Sequence, residues 1–258
     1  MSYAHIMSDW MWSYTRVKAF EQCPHSFYLK YLLKEGPKVQ NFFARYGDTM
    51  HKILRQFYEG SLTKEELPSE WITRFQNDVY GDVSARLSSN YFLQGLRYLE
   101  GIKLPSESIV GVERRVQGIF SGHKAYGFVD LLKSDKNNEL IVTDHKSKVL
   151  TPRNPKRYRK TDDELDEYER QLYLYANMLR QELYKPVKYI EFNCFRDGLT
   201  IREECQFDKE LEAVKWFQTM IQRIENEEDF MPNINYFYCK NICDMRNVCE
   251  YAQYANDA

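Results

Sequence analysis

The chain lacks several features that would assign it to a class at once. It contains no G-x-x-x-x-G-K-[ST] motif, so it has no P-loop ATPase of its own. No run approaches the roughly 20 apolar residues that a membrane span needs. The first twelve residues also lack the charged-then-apolar order of a secretory signal. We therefore expect a cytoplasmic protein without membrane contact.

An excess of charge of one sign is missing too. The net charge is −2, which excludes a global basic surface, so any nucleic-acid interface must be local. There is no internal repeat and no low-complexity segment. The hydrophobic content of 43% supports a core for one large domain or two small ones. Aromatic side chains make up 15% of the chain and could stack on bases, although most are expected to be buried or half-buried.

Two short apolar runs, residues 127–132 and 140–146, carry the most informative side chains. Each run has an aspartate near its end, and a lysine follows the second aspartate by two residues: Asp130, Asp144 and Lys146. Side chains alternate along a strand, so Lys146 should point the same way as Asp144. If the runs pair, both carboxylates could hold one Mg²⁺ or Mn²⁺ ion while the lysine assists phosphodiester hydrolysis. The alternative is two strand-end aspartates in turns beside a solvated lysine.

Four further residues extend this pattern. His51 lies on a predicted helix upstream, and Glu113 ends a strand-like run, where it is either an ion-pair partner or an outer acid of the site. Gln171 and Tyr175 are four residues apart and share one helix face. Each alone has a structural explanation. The complete order of His, Glu, Gly-x-x-Asp, Asp-x-Lys and Gln-x-x-x-Tyr is much less expected by chance than any one element.

Periodicity predicts helices around a strand-rich centre. The segment 60–108 is expected to be helical and polar, and the tail from residue 233 onwards irregular. The predicted helices cover residues 13–23 with Ser13 or Thr15 as cap, 27–33, 47–59 with Asp48 as cap, 163–183 and 209–225. The predicted strands cover residues 109–117, 119–120, 125–132 and 139–146, with a hairpin of 187–195 and 199–207.

The six cysteines indicate metal or cluster binding rather than disulfides if the compartment is reducing. Cys194 and Cys205 fall in the predicted hairpin and are expected to be buried as small apolar groups. Four thiolates could hold zinc, which usually takes paired close-spaced ligands, or an iron–sulfur cluster. The other four cysteines divide into one and three: Cys23, then Cys239, Cys243 and Cys249.

The polar loop over residues 147–162 follows the second aspartate strand. Its bland interpretation is a solvated run of charge. Its place between that strand and the Gln171 helix favours a phosphate-gripping or gating role on the substrate, with an aromatic ring to stack on a base. The candidate substrate-binding residues are Lys148, Arg153, Lys156, Arg157, Tyr158, Arg159 and Lys160.

This ordered set resembles the PD-(D/E)xK nuclease superfamily, specifically its RecB-like branch. It is similar to the CRISPR-associated Cas-four exonucleases and the AddB nuclease domain. The resemblance runs from Ser13 to Cys249 and is weakest over residues 60–108. It implies an α/β restriction-endonuclease-like core with a central mixed β-sheet flanked by helices. Residues 1–258 would form a single nuclease domain with a helical insertion at 60–108 and an Fe–S subregion made of 13–33 and 233–252.

The resemblance also implies roles for particular residues. Asp at position 144 lies within the family's D/E variation, while the C-terminal cysteine trio has three residues in its first gap where two are usual. By similarity, His51, Asp130 and Asp144 are metal ligands, Lys146 is catalytic, Gln171 and Tyr175 help place DNA, and Cys23, Cys239, Cys243 and Cys249 bind a [4Fe–4S] cluster.

We therefore expect a Mg²⁺/Mn²⁺-dependent DNA exonuclease that prefers single-stranded or frayed ends, in recombination, repair or CRISPR adaptation. The alternative is a non-catalytic DNA-end-binding or assembly subunit stabilised by the cluster, although a binder needs no metal carboxylates. A zinc-stapled RNA-binding protein is a third interpretation, but the chain has no recognisable RNA module. Without a motor, the protein would act alone or with a helicase or integrase partner.

Overall fold

The structure is a computed structural model that describes residues 3–36 and 40–255. Its contacts divide the chain into two compact units. The terminal unit consists of Met1–Asn41, Ile119–Tyr126 and Val214–Ala258, and the central unit of Phe42–Gly118 and Gly127–Ala213. The single nuclease domain with its subregions stays a prediction.

An α/β architecture with a mixed sheet and flanking helices is present, as predicted. In the described part of the chain, the strands form one five-stranded sheet in the order β1-β2-β3-β4-β5. The strands are β1 Ser108–Phe120, β2 His123–Ser134, β3 Leu140–Lys146, β4 Val187–Cys194 and β5 Leu199–Glu204. The α-helices are α1 Ala4–Met7, α2 Tyr14–Gln22, α3 Pro24–Phe27, α4 Phe42–Tyr58, α5 Leu67–Arg74, α6 Ala85–Gly101, α7 Lys160–Leu183 and α8 Phe207–Glu225.

Strand β3 is the centre of the sheet. It pairs antiparallel with β2 and parallel with β4, and α7 forms the long crossover that a parallel pair requires. Six of its seven residues are buried, as expected for a strand covered on both faces. Leu131 lies opposite Thr143, which brings the next residues, Asp130 and Asp144, to the same end of the two strands.

Helix α4 is longer than expected. It begins at Phe42 rather than at residue 47, and Asp48 lies inside the helix instead of capping it. The reason is an apolar stripe that starts earlier: Phe42, Tyr46 and Met50 recur every fourth residue and are all buried. This stripe fixes the helix face that packs into the core of the central unit.

The segment 60–108 is largely helical, as predicted, but the expectation that it is polar was wrong. Leu67, Trp71 and Phe75 are buried and share an apolar cluster with residues of α4 and α6. Trp71 donates its indole N–H to the carbonyl of Phe92 at 3.0 Å. Gly95 permits this packing, because a Cβ there would lie 2.4 Å from the Trp71 ring.

Other boundaries differ from the predictions by a few residues. Ser13 caps α2, since its hydroxyl accepts a hydrogen bond from the Arg16 N–H at 3.2 Å. The two strand pieces expected before residue 121 form the single strand β1, and α7 begins at Lys160, inside the predicted loop. The tail is not wholly irregular, because it contains a π-helical turn, Tyr238–Ile242, and a 3₁₀ helix, Glu250–Ala255. In the described ranges, no helix has both the length and the apolar composition for crossing a bilayer.

Candidate metal and nuclease site

Asp130 of β2 and His51 of α4 both contact the backbone of His145 in β3. The Oδ2 atom of Asp130 accepts a hydrogen bond from the backbone N–H of His145 at 2.7 Å. Nε2 of His51 lies 3.0 Å from the carbonyl oxygen of the same residue. A carbonyl can only accept, so Nε2 carries the proton, and Nδ1 presents a lone pair 3.6 Å from Asp130 Oδ2. Neutral imidazole with its distal N–H held in this way is the form that ligates metals.

Glu113 of β1 joins this pair. One ligand atom from each of His51, Glu113 and Asp130 lies within 4.8 Å of the other two. Glu113 has a φ of 47°, a left-handed backbone conformation that is uncommon outside glycine. Strained residues of this kind cluster at functional sites. The sequence predicts Glu113 only as an ion-pair partner or an outer acid of the site, because its spacing alone does not indicate a metal ligand.

The electrostatics of this group suit a cation. Burial raises the pKa of Asp130 well above its usual value, and the nearby Asp144 charge adds to that rise. Burial also raises the pKa of Glu113 and lowers the pKa of His51. Burial thus outweighs the positive charge that Lys146 contributes, and the group stays short of compensating positive charge. A divalent ion would supply that charge and reverse the local pKa preferences, so the donor set fits the predicted metal.

Lys146 and Asp144 point the same way from β3, as the alternation predicted. The Nζ atom of Lys146 lies 2.7 Å from Asp144 Oδ2 and 4.9 Å from the centre of the Tyr168 ring. Burial opposes the lysine charge, but Asp144 and Asp130 outweigh it and raise the pKa of Lys146. The lysine is therefore a fixed cation beside the acidic group.

Gln171 and Tyr175 of α7 complete a chain of polar contacts. Lys146 Nζ donates to Gln171 Oε1 at 3.4 Å, and Gln171 Nε2 donates to the Tyr175 hydroxyl at 3.0 Å. The Tyr175 ring lies against β2, where a Cβ on Gly127 would be 2.2 Å from its Cε1 atom. The glycine of the Gly-x-x-Asp pattern is thus needed for this close approach, a role that sequence analysis missed.

Much of the basic loop is paired within the chain. Arg153 reaches Glu203 at 2.6 Å and also pairs with Asp166 and the buried Glu169. Lys148 pairs with Glu164, Tyr158 bonds to Asp163, and Arg159 pairs with Asp162. Three exposed residues form no ion pair among residues 3–36 and 40–255: Lys156, Arg157 and Lys160.

The terminal unit gathers the four end cysteines. Cys23, Cys239, Cys243 and Cys249 line one small pocket. Within the described residues, these thiols form no group of three with ligand atoms inside 4.8 Å of one another. Tetrahedral zinc, with Zn–S bonds of about 2.3 Å, would draw the sulfurs closer than that. The four cysteines therefore share a pocket without forming a close ligand group.

The prediction that both hairpin cysteines are buried is confirmed for one of them. Cys194 is buried, and Cys205 is half-buried rather than buried. Burial raises the pKa of Cys194 to about 11 and of Cys205 to about 12. Both therefore stay protonated at neutral pH and are poor metal ligands.

Comparison with known proteins identifies the class to which this arrangement belongs. The profile of the PD-(D/E)XK nuclease superfamily matches residues 11–250. The chain therefore belongs to the PD-(D/E)XK nuclease superfamily, whose members cleave phosphodiester bonds with divalent metals. No curated protein matches the sequence.

One solved structure supports the same fold. A protein from Eubacterium rectale, provisionally named an exonuclease, is 14% identical with a TM-score of 0.57 over 95% of this chain and 90% of that chain. The protein SSO0001 is 14% identical with a TM-score of 0.40 over 92% of this chain and 85% of that chain. At 14% identity the Eubacterium rectale structure supports the fold alone. The TM-score of SSO0001 is too low to support a conclusion about the fold. The RecB-like branch stays a prediction.

Proposed function

We propose that the protein is a Mg²⁺/Mn²⁺-dependent DNA exonuclease of the RecB-like branch. The observation that carries the proposal is the convergence of His51, Glu113 and Asp130 next to the Asp144–Lys146 pair. A purely structural ion pair would not need a second, desolvated acidic group with a metal-competent imidazole beside it. The metal ligands in this proposal are His51, Asp130 and Asp144, with Glu113 as an additional carboxylate.

Each residue of the site has a distinct task in this proposal. A divalent ion held there would supply the positive charge that stabilises the pentavalent phosphorus transition state. Lys146, kept protonated by Asp144, holds a second positive charge beside the scissile phosphate. Gln171 orients the lysine through its amide oxygen and is held by the Tyr175 hydroxyl. This chain of contacts restricts the lysine to one position.

Substrate choice is assigned to the basic loop. Lys156, Arg157 and Lys160 are free to contact phosphates, whereas Arg153 is paired with the buried Glu169 and the half-buried Glu203. A small local patch on a chain with net charge −2 suits an entering single strand or frayed end better than a coated duplex. We assign the protein to recombination, repair or CRISPR adaptation in the cytoplasm, with a helicase or integrase as partner.

We further propose that Cys23, Cys239, Cys243 and Cys249 hold a [4Fe–4S] cluster. Support comes from the one pocket that all four cysteines line. The cluster would join α2 and the tail, which lie more than two hundred residues apart in sequence. Its role in this proposal is structural.

The test is degradation of end-labelled single-stranded DNA by anaerobically purified protein with Mn²⁺. The wild type should shorten the label from an end, and Asp130→Asn and Lys146→Ala should each be strongly impaired. A circular single strand is the control for endonuclease action. Equal activity in wild type and variants would overturn the site. DNA binding without cleavage in the wild type would favour the non-catalytic end-binding subunit.

A further inference from the structure

The central unit contains a cavity on the face of the sheet opposite to the face that carries Lys146. Its volume is about 450 Å³, within the range of small-molecule sites. Side chains alternate along β3, so Thr143 and His145 point away from Asp144 and Lys146, and both line this cavity. The cavity is therefore distinct from the candidate metal site, although one strand forms part of both.

The cavity carries an excess of positive charge. The buried Lys133 lies 2.5 Å from the buried Glu191, and the exposed Arg202 pairs with Glu191 at 2.6 Å and with Glu107 at 2.7 Å. Two further basic residues, Arg97 and Lys103, line the solvent side and are exposed. Neither forms an ion pair with the residues that the structure describes. Four basic and two acidic side chains thus leave two unbalanced positive charges at the entrance.

A buried donor lies beside this cavity and has no hydrogen-bond partner among the described residues. Asn193 Nδ2 lies 3.0 Å from His145 Nδ1 and 2.5 Å from the Tyr98 hydroxyl. Because the amide nitrogen donates, His145 carries its proton on Nε2. That Nε2 atom is buried and finds no acceptor among the described residues, although His145 is only 5% exposed. A buried donor without an acceptor is unfavourable, and an acceptor group on a ligand would satisfy it.

Aromatic rings flank this donor. The Tyr58 ring stacks on His145 with ring centres 5.6 Å apart and planes at 8°. Tyr98 lines the same wall, and burial raises its pKa to about 12, so its hydroxyl stays neutral while it bonds to Asn193 and Tyr58. A molecule with a base at one end and an anion at the other would complement this cavity. Its base could contact the aromatic rings and the neutral donor, and its anion could contact the two cations at the entrance.

We propose that this cavity binds a nucleoside monophosphate, with the phosphate at Arg97 and Lys103 and an acceptor of the base or sugar on His145 Nε2–H. Inorganic phosphate shares the anionic chemistry, but it would fill only a small part of the cavity and leave the histidine donor unpaired. The proposal does not require nuclease activity, because none of these residues belongs to the candidate metal site's ligand set.

Calorimetric titration of the full chain in EDTA tests the proposal. Deoxynucleoside monophosphates should bind at one site, and inorganic phosphate and the free deoxynucleoside should each bind at least tenfold more weakly. Equal affinity for inorganic phosphate would overturn the nucleotide assignment, and the absence of binding by every monophosphate would overturn the site. With ¹⁵N-labelled histidine, the Nε2–H signal of His145 should shift on saturation, and an unchanged signal contradicts the proposed pose.

Variants separate this cavity from the candidate nuclease site. Arg97→Ala/Lys103→Ala should weaken nucleotide binding at least tenfold. Arg86→Ala is the matched control, since Arg86 is exposed on the same helix α6 but lies outside the cavity. Lys146→Ala, on the opposite face, should leave the affinity unchanged. If Lys146→Ala abolishes binding and the double variant does not, the nucleotide occupies the nuclease site and the proposal fails. Circular dichroism checks that each variant is folded.

Discussion

The acidic group of the central unit and the cysteine pocket of the terminal unit differ in the backbone elements that position their side chains. His51, Glu113 and Asp130 sit on a helix and two strands whose backbones are hydrogen-bonded and whose neighbours are buried. The cysteines sit at a helix junction and in the short helical turns of the tail. Few regular backbone contacts hold their sulfurs in place.

This difference predicts how each region depends on its cofactor. In the central unit, the sheet positions the ligands before a metal arrives, so removal of the metal should abolish chemistry and leave the fold. In the terminal unit, thiols distant in sequence line one pocket, so the proposed cluster would contribute directly to folding. Five substitutions, taken in decreasing order of expected effect, test this difference between the two units.

The largest effect should come from Lys146→Ala. Removing the fixed charge should lower single-strand degradation by about 10²–10³-fold, the usual loss for an electrostatic transition-state contact. The iron content should not fall, and the thermal midpoint should fall only modestly, because the buried Asp144 loses its cationic partner. Lys148→Ala is the control, because Lys148 is more exposed and pairs with Glu164 at the surface. Comparable losses in both variants would contradict a special role for Lys146.

The next effect should come from Cys23→Ser. The variant should lose iron and about 3 kcal/mol of stability, equivalent to a midpoint lower by roughly 10 °C for a chain of this size. Iron analysis and thermal unfolding measure both. Cys205→Ser should change neither quantity. Full iron content in Cys23→Ser would remove this cysteine from the ligand set, and zinc in place of iron would favour the zinc alternative.

Gly127→Ala tests the rigidity of the central unit. Its methyl group would meet the buried Tyr175 ring at 2.2 Å, and overpacking of this kind costs about 1–3 kcal/mol. Urea unfolding should show this loss, while the iron content remains that of the wild type. Gly101→Ala is the matched control, since nothing lies within 4 Å of the point that its new methyl group would occupy. A neutral Gly127→Ala would show that the Tyr175 ring moves freely.

Arg153→Ala should act on stability rather than on substrate. The change leaves Glu169, which is 1% exposed, with Lys209 as its remaining cationic contact at 3.1 Å. A buried acid that loses a partner costs about 1–3 kcal/mol. Denaturant unfolding should therefore shift, with little change in the affinity for single-stranded DNA. A large loss of affinity without a loss of stability would restore Arg153 to the substrate surface.

The smallest effect on stability should come from Lys156→Ala/Arg157→Ala/Lys160→Ala. These exposed residues have no intramolecular ion pair to lose within the described part of the chain. The variant should weaken single-strand binding and reduce the slope of log affinity against log salt by about 2, since each phosphate contact on a single strand contributes about 0.7. An unchanged slope would return this part of the loop to a solvated run of charge.

The sequence alone determined the local side-chain relations within the candidate site. The period-two alternation of β3 places Asp144 and Lys146 on one face, and the four-residue spacing of Gln171 and Tyr175 places both on one side of α7. Such relations depend only on local backbone geometry, which a sequence pattern reveals directly. The ordered motifs were also sufficient to indicate the nuclease superfamily that the profile match established.

Only the tertiary structure decided which distant residues share a site. Glu113 enters the acidic group because β1 joins the sheet, and Arg153 is neutralised because Glu169 and Glu203 come from two other elements. The unpaired His145 donor likewise depends on Asn193 of a neighbouring strand. Contacts between residues far apart in sequence arise from packing of whole elements, and no local spacing encodes them.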